Sequence, residues 1–274
     1  MIAAFTFLFG IVIGSFLNVC IHRLPRGESV VAPRSRCPQC QTPIAAYDNI
    51  PLLSYLLLRG KCRHCNARIS PVYFFVELAT GLMFLLSLSM YGLSAEFLRQ
   101  VVFGSLLIVL VMTDWQERIL PDRINFPGMA LGLVFALMIP IGDGTGLWLA
   151  RLAGLGSLPI RVISLFDGLL GALAGGGLLF ALGELYFRLR HREGMGFGDV
   201  KMMAMVGCFL GPKLTLLTIL LGSLGGSVIG LLLIAVLRKG SDYELPFGTF
   251  LGLAAFCASL WGWPVLNWYR GFFP

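Results

Sequence analysis

"GMGFGDVKMMAMVGCFLGPKL", residues 194–214, sets one carboxylate, Asp199, behind a glycine-rich run and ahead of an apolar stretch, 200–211, that stops at Gly211-Pro212. Twelve helical residues rise only about 18 Å, against a hydrocarbon core of about 30 Å. If Gly211-Pro212 ends the helix at the outer side of a bilayer, Asp199 starts below the opposite surface. Gly194–Gly198 is then expected to be irregular backbone at membrane depth, tolerated only where it is buried in protein or lines a watery cavity. An acid in such a place is a functional candidate. Gly196, Gly198 and Lys201 flank it as supporting residues.

The rest of the chain supplies the bilayer. With 57% hydrophobic and 13% charged residues and a mean hydropathy of +0.83, it carries more apolar surface than one soluble core can hide. Apolar segments fall near 2–21, 72–91, 97–113, 124–141, 165–187, 200–211, 214–237 and 247–267. These predict an all-α polytopic membrane protein of about eight transmembrane helices. The first lacks a basic n-region and a small-residue cleavage site, and reads as an uncleaved span, 1–22. Residues 23–71 form an extramembrane domain, and 72–274 a multi-helix membrane domain with a long Gly-rich connection at 142–164.

If 23–71 is cytoplasmic, 16 of the 21 Lys and Arg, including Arg238 and Lys239, lie inside, as the positive-inside rule favours. The net charge of +7 is then a topology signal with affinity for the lipid bilayer rather than for nucleic acid. Both termini face outward in this arrangement.

"CPQC" (Cys37, Cys40) and "CRHC" (Cys62, Cys65) have the spacing of a four-thiolate zinc site. A metal there supplies folding free energy that a segment this short cannot gain from burial. Four protein ligands leave no open position, so the zinc is structural. His64 is a possible substitute ligand. Cys20, Cys208 and Cys257 read as small buried hydrophobes, and His22 and His191 as interfacial.

Among the acids, Glu28, Glu117, Glu193, Asp242 and Glu244 read as loop residues, and Asp143 and Asp167 as lying outside or at a helix start. Asp114, at the end of the third span in "VLVMTDWQERILPD", comes to the same membrane face as Asp199. Two facing carboxylates can share a proton and hydrolyse a peptide as aspartic proteases do. The alternative for Asp114 is a helix cap or a pair with Arg118. Asp122, after Pro121, suits an N-cap and a supporting role. Glu77, inside the second span, either orients a substrate amine or pairs with Arg68 or another basic group.

"GIVIGSFLNVCIHRLP", the two C-x2-C pairs, "NIPLLSYLLLRGKC", "RISPVYFFVEL", "TDWQERILPD", "GMGFGDVKMM" and "LPFGTFLGLAA" together resemble the bacterial type IV prepilin peptidases, in order and through nearly the whole chain. The resemblance implies a bifunctional inner-membrane enzyme. It would cut the basic leader from type IV prepilins or type II secretion pseudopilins after a glycine, on the cytoplasmic side. It would then methylate the new N-terminal amine, usually of phenylalanine, with S-adenosylmethionine. Asp114 and Asp199 match the family's catalytic aspartates, and Cys37, Cys40, Cys62 and Cys65 its zinc ligands.

Methyl transfer has no counterpart in the residues themselves, since no G-x-G-x-x-G follows a strand. The motifs Gly10-x3-Gly14, Gly171-x3-Gly175 and Gly222-x3-Gly226-x3-Gly230 read as helix-contact faces. Intramembrane acids and a broken helix also suit a proton-coupled transporter, and the zinc segment a non-catalytic scaffold. Against the transporter, the halves show no internal repeat and both acids map near one face.

Overall fold

A computed structural model describes residues 1–192, 194–237 and 245–272. Arg238, Lys239, Glu193, Asp242 and Glu244 lie outside the described residues. Among those described, the structure is helical, and β pairing is confined to two isolated bridges. The chain divides into two units, Met1–Val109 and Leu110–Pro274.

In the first unit, α1 (Ile2–Arg23) packs along α3 (Val72–Tyr91). Glycines permit the approach. A Cβ on Gly14 would lie 2.7 Å from the Glu77 Cα, and one on Gly81 would lie 2.6 Å from Ile11 Cγ2. Asn18 Nδ2 donates to the Tyr73 carbonyl at 2.9 Å, giving a buried amide a partner across the same contact. Between the two helices lie the short α2 (Leu53–Leu57) and the cysteine knuckles. Arg23 is more than a topology charge: it is buried, and its guanidinium donates to the carbonyls of Ser29 at 2.9 Å and Pro33 at 2.7 Å. The start of the α4 helix (Ala95–Glu117) completes this unit.

The second unit takes the end of α4 and adds α5 (Asp122–Met138), α6 (Thr145–Leu152), α7 (Ile160–Ala172), α8 (Leu178–Arg190), α9 (Phe197–Leu237) and α10 (Phe247–Arg270). The connection expected at 142–164 contains α6, which packs on α7. A π-helical turn, Leu173–Gly177, joins α7 to α8. There the backbones come so close that a Cβ on Gly175 would overlap the Met203 carbonyl, and Gly171 and Gly207 abut backbone to backbone.

A straight helix of the 41 residues in α9 would be about 60 Å long, twice a bilayer's hydrocarbon core. It is not straight. Gly211 has φ 75° and ψ 175°, and Pro212 follows. The contacts along α10 show the direction of each arm. A Cβ on Gly262 would lie 2.6 Å from Leu214 Cδ2, one on Gly222 2.9 Å from Leu251 Cδ2, and one on Gly248 3.0 Å from Asp199 Oδ1. Both ends of α9 therefore approach the start of α10, and the chain doubles back at Gly211. Positive φ costs a side chain energy that glycine avoids, and proline at the start of the second arm gives up no needed donor.

Asp143 closes the turn. It is 3% exposed, and its Oδ2 accepts the Lys213 amide at 2.9 Å, one of the orphan donors of the second arm. Its Oδ1 accepts the Thr145 amide at 3.2 Å and the Thr145 hydroxyl. Asp167, also 3% exposed, accepts the Gly146 amide at 2.6 Å. Asp143 lies at a helix start as expected, two residues before α6, whereas Asp167 lies inside α7; both are buried acceptors that fix the α5–α6–α7 corner against the reversal.

The eight expected apolar segments fall on α1, α3, α4, α5, α7 with α8, the two arms of α9, and α10. Six described helices are long and apolar enough to cross a membrane: Ile2–Arg23, Val72–Tyr91, Ala95–Glu117, Ile160–Arg190, Phe197–Leu232 and Phe247–Arg270. The segment expected at 124–141 forms α5, of only 17 residues. Those at 200–211 and 214–237 form the two arms of α9. The helix also begins at Phe197, so Gly198 lies in its first turn rather than in an irregular loop.

The glycine contacts yield a paired prediction. Gly207→Val, against the Gly171 backbone, should destabilise by about 3 kcal/mol or more, because neither helix can relax a backbone overlap as a side chain can. Gly177→Ala, with nothing within 4 Å of the added Cβ, should be neutral in the same thermal unfolding measurement on detergent-purified protein.

Candidate active site and metal centre

Three helix ends build the first site. Asp114 sits in the last turn of α4, Asp199 in the first turn of α9, and Gly248-Thr249 in the first turn of α10. Both acids are buried, 5% and 8% exposed. Asp114 Oδ2 accepts the Thr249 amide at 2.6 Å and the Thr249 hydroxyl at 2.9 Å. The amide is one of the free donors of a helix N-terminus, where a negative charge is favoured. The Asp114 carbonyl, by contrast, accepts the Arg118 amide at 2.9 Å as the helix ends.

Gly248 defines the space between the acids. A Cβ there would lie 3.0 Å from Asp199 Oδ1 and 3.1 Å from Asp114 Cγ. The two carboxyl groups therefore both border the space, called the cleft below, that a side chain at residue 248 would fill. Leu120 Cδ1 lies 3.0 Å from the same point, and Leu120 Cβ lies 3.0 Å from the position of a Cβ on Gly198. Asp199 Oδ1 is buried with no hydrogen-bond partner among the described residues. A bare carboxyl oxygen in a dry setting is costly, and a proton, a water or another polar group there would relieve the cost.

The surrounding residues hold Asp199 in place. Its amide donates to the Gly196 carbonyl at 3.1 Å, and a Cβ on Gly196 would lie 3.5 Å from Asp199 Oδ2. Lys201 Nζ donates to both Asp122 oxygens at 2.8 Å and lies over the Phe197 and Phe126 rings at 5.2 and 5.5 Å. Asp122 is not the N-cap expected of it. Pro121 holds that position, and Asp122 opens α5 with its carboxylate spent on Lys201. The supporting pair thus ties α5 to α9 beside the cleft.

Glu77 pairs with the Leu52 amide rather than with Arg68. Its Oε2 accepts the Leu52 amide at 2.8 Å, and the Ser15 hydroxyl also bonds to it. Gly248 and Thr249 were missed by sequence reasoning. They lie in "LPFGTFLGLAA", but Thr249 is 135 positions from its partner Asp114, and no local spacing signals such a pair.

The second site is a thiol cluster. The Sγ atoms of Cys37, Cys40, Cys62 and Cys65 all lie within 4.8 Å of one another. Cys37 to Cys65 is 3.8 Å and Cys40 to Cys62 is 4.0 Å. Those separations are far beyond a disulfide bond of about 2.05 Å. They match the sulfur–sulfur edge, about 3.8 Å, of a tetrahedron with metal–sulfur bonds of about 2.3 Å. The residues therefore fit a zinc ion.

Both knuckles are built alike. The Gln41 amide bonds to the Cys37 carbonyl at 2.9 Å and the Asn66 amide to the Cys62 carbonyl at 3.0 Å, with Gln41 and Asn66 at φ 58° and 56°. The Thr42 hydroxyl and amide pull the Cys40 thiol down to about 6. Backbone amides of Cys65 and His64 lower that of Cys62. The Ala67 amide also acts to lower Cys65, but burial and the other three thiols outweigh it and hold that thiol up at about 11. Four thiolates this close need a cation among them. A bidentate pair braces the cluster: Arg63 Nε and Nη2 donate to Asp48 at 2.8 and 2.6 Å, and the guanidinium holds the Asp48 carboxyl below its ordinary range. His64 is not a member of the cluster. Cys20 and Cys208 are buried as expected, whereas Cys257 is exposed.

Residues 8–91 match the Bacterial Peptidase A24 N-terminal domain, and residues 101–231 the Type IV leader peptidase family. The chain is 39% identical over 246 residues to a prepilin leader peptidase/N-methyltransferase of Myxococcus xanthus, covering 89% of this chain and 67% of that protein. It is 33% identical over 290 residues to the protein of that name from Pseudomonas aeruginosa, covering 97% and 93%. For the Aeromonas salmonicida protein of the same name the identity is 33% over 291 residues, covering 96% and 92%. No solved structure matches. Two matched regions in succession and relatives aligned over nearly full length establish that the chain belongs to the type IV leader peptidase family.

Proposed function

We propose that the chain removes the leader of type IV prepilins or type II secretion pseudopilins and then methylates the new N-terminus. The observation that carries the peptidase half is the facing of Asp114 and Asp199 across the space at Gly248. The pair holds one proton between its two carboxyl groups. The two Thr249 donors favour negative charge on Asp114, so the proton resides with Asp199. Asp114 takes a proton from water as its oxygen attacks the scissile carbonyl carbon, while Asp199 gives its proton to the carbonyl oxygen. When the resulting diol collapses, one of its hydroxyls returns a proton to Asp199, the C–N bond breaks and the proton held by Asp114 passes to the leaving amine. Gly248 leaves room for the water, and Gly196 and Gly198 let substrate backbone approach.

The topology that serves this reaction is an eight-pass one in the inner membrane, with α5 and the two arms of α9 as separate crossings and 23–71 on the cytoplasmic side. The first arm, Phe197 to Leu210, is about 21 Å long, so Asp199 lies beneath the surface where a substrate's apolar helix meets its polar leader. Residues 1–22 are the first span, 23–71 the zinc domain, and 72–274 the membrane peptidase domain. Zinc on Cys37, Cys40, Cys62 and Cys65 supplies cross-linking of the knuckles and no chemistry. The N-methyltransferase in the relatives' names supports the second activity, for which S-adenosylmethionine is the methyl donor.

Three measurements test this reading. Asp114→Asn and Asp199→Asn should each abolish cleavage of a prepilin by purified protein, with the double variant scarcely worse, because residues acting as a unit are non-additive. Methylation of an already cleaved pilin should survive. Near wild-type cleavage by folded Asp199→Asn would falsify the paired mechanism.

Gly248→Ala probes the cleft itself. Its methyl group occupies the space shared by the carboxyls, so cleavage should fall by at least about a hundredfold, or roughly 3 kcal/mol of lost transition-state stabilisation. Thermal stability should change little, and undiminished activity would remove Gly248 from the site.

Cys40→Ser removes one thiolate of four, and zinc content should fall toward zero with loosening of 37–65 in proteolysis. A full equivalent of zinc retained after substitution of both Cys40 and Cys65 would defeat the metal assignment.

A further inference from the structure

Lys61 and Arg68 face each other across an isolated antiparallel bridge, a placement in which like charges repel. The matching bridge of the first knuckle pairs Arg36 with Pro43, so the knuckle fold does not require the repulsion. Lys61 and Arg68, together with Arg59, line a concavity of about 540 Å³ completed by Tyr55 and Ser70, and no acid is among its lining residues. None of the three basic residues forms an ion pair among the described residues. Three uncompensated cations around one cavity select an anion.

Two further features choose among anions. Ser70 and Pro71 line the cavity, and the next residue, Val72, opens α3, a membrane span. The cavity is therefore fixed by the chain at a membrane boundary. The same segment leaves Leu53, Leu56 and Leu57 exposed by 49%, 61% and 72%. A free anion needs only the cations. A cationic cavity beside exposed leucines at the mouth of a span suits an amphiphile.

We propose that this concavity binds the headgroup of an anionic phospholipid, with Leu53, Leu56 and Leu57 against its acyl chains. The lipid's phosphate neutralises the opposed Lys61 and Arg68 and so completes the second knuckle. Neither carboxylate of the cleft takes part, and lipid binding is read out independently of cleavage.

The test uses the full chain in zwitterionic detergent micelles, with phosphatidylglycerol, phosphatidylcholine, inorganic phosphate or S-adenosylmethionine added. Bound lipid is counted by native mass spectrometry, and unfolding temperature is followed in parallel. Phosphatidylglycerol should bind and raise the unfolding temperature, while phosphatidylcholine should do neither. Each basic residue near an anionic surface is worth roughly fivefold, so the triple variant Arg59→Gln, Lys61→Gln, Arg68→Gln should hold less than about a tenth of the wild-type lipid. The variant Arg151→Gln, on α6, should bind as wild type does.

Zinc content reports whether the knuckle still folds. If the triple variant loses zinc, the double variant Arg59→Gln, Arg68→Gln, which spares the residue beside Cys62, takes its place. A zinc-loaded variant that keeps its phosphatidylglycerol overturns the proposal. Displacement of the lipid from wild type by inorganic phosphate, with equal stabilisation, makes the site one for a free anion and also overturns it. Displacement by S-adenosylmethionine overturns it in favour of the methyl donor.

Discussion

Where α9 reverses at Gly211, the backbone loses its helical partners, and in a membrane protein no water stands by to replace them. Asp143 supplies the replacement by accepting the Lys213 amide at 2.9 Å from a neighbouring corner of the chain. Its other oxygen is held by the Thr145 amide and hydroxyl, so the carboxylate is fixed before the turn uses it. The Lys213 ammonium, 3.6 Å from Asp143 Oδ1, balances the charge. A side chain on Gly211 would have to adopt φ 75° and would place its Cβ 3.1 Å from Asp143 Cβ. The reversal is thus specified twice, by backbone conformation and by space.

The cleft follows from that turn. Because the second arm of α9 returns alongside α10, the first residues of α10 come level with the first residues of α9. This brings Thr249 and Gly248 to the two acids. The free amide at the start of α10 then has an anion to meet, and Asp114 has donors that satisfy one oxygen. Asp199 receives no such donor on Oδ1. The asymmetry between two chemically identical groups comes from one helix N-terminus, and in the proposed mechanism it separates the acid from the base.

What could be read in the sequence was whatever is local or periodic. Cys37, Cys40, Cys62 and Cys65 announce themselves by spacing, because a metal site built from two tight turns needs that spacing. Asp199 is legible because the apolar run after it is too short to cross a bilayer. Asp114 could be placed near it once the spans were oriented. Thr249 and Asp143 could not be found this way, since each acts on a partner 135 or 70 positions distant. Asp122 was misread as a cap because Pro121 suggested a helix start without revealing that Lys201 lies opposite. Glu77 was expected to seek a cation, but a backbone amide at Leu52 satisfies it.

Glu77 shows how the polar segment of the first unit is held without a core of its own. A metal on the four thiols would cross-link only the two knuckles, and Arg63 with Asp48 braces the stretch between them. Neither fixes the segment to the membrane helices. Arg23 does so at the end of α1, through the carbonyls of Ser29 and Pro33, and Glu77 does so from α3, through the Leu52 amide. Leu52 has φ 60°, an unfavourable conformation for a branched side chain, and it is the N-cap residue of α2. A carboxylate anchored in a helix can stabilise that strained residue because its hydrogen bond is charge-assisted and shielded from water. The buried acid is therefore explained by the loop it restrains, and α2 with its exposed leucines is held where the chain re-enters the bilayer.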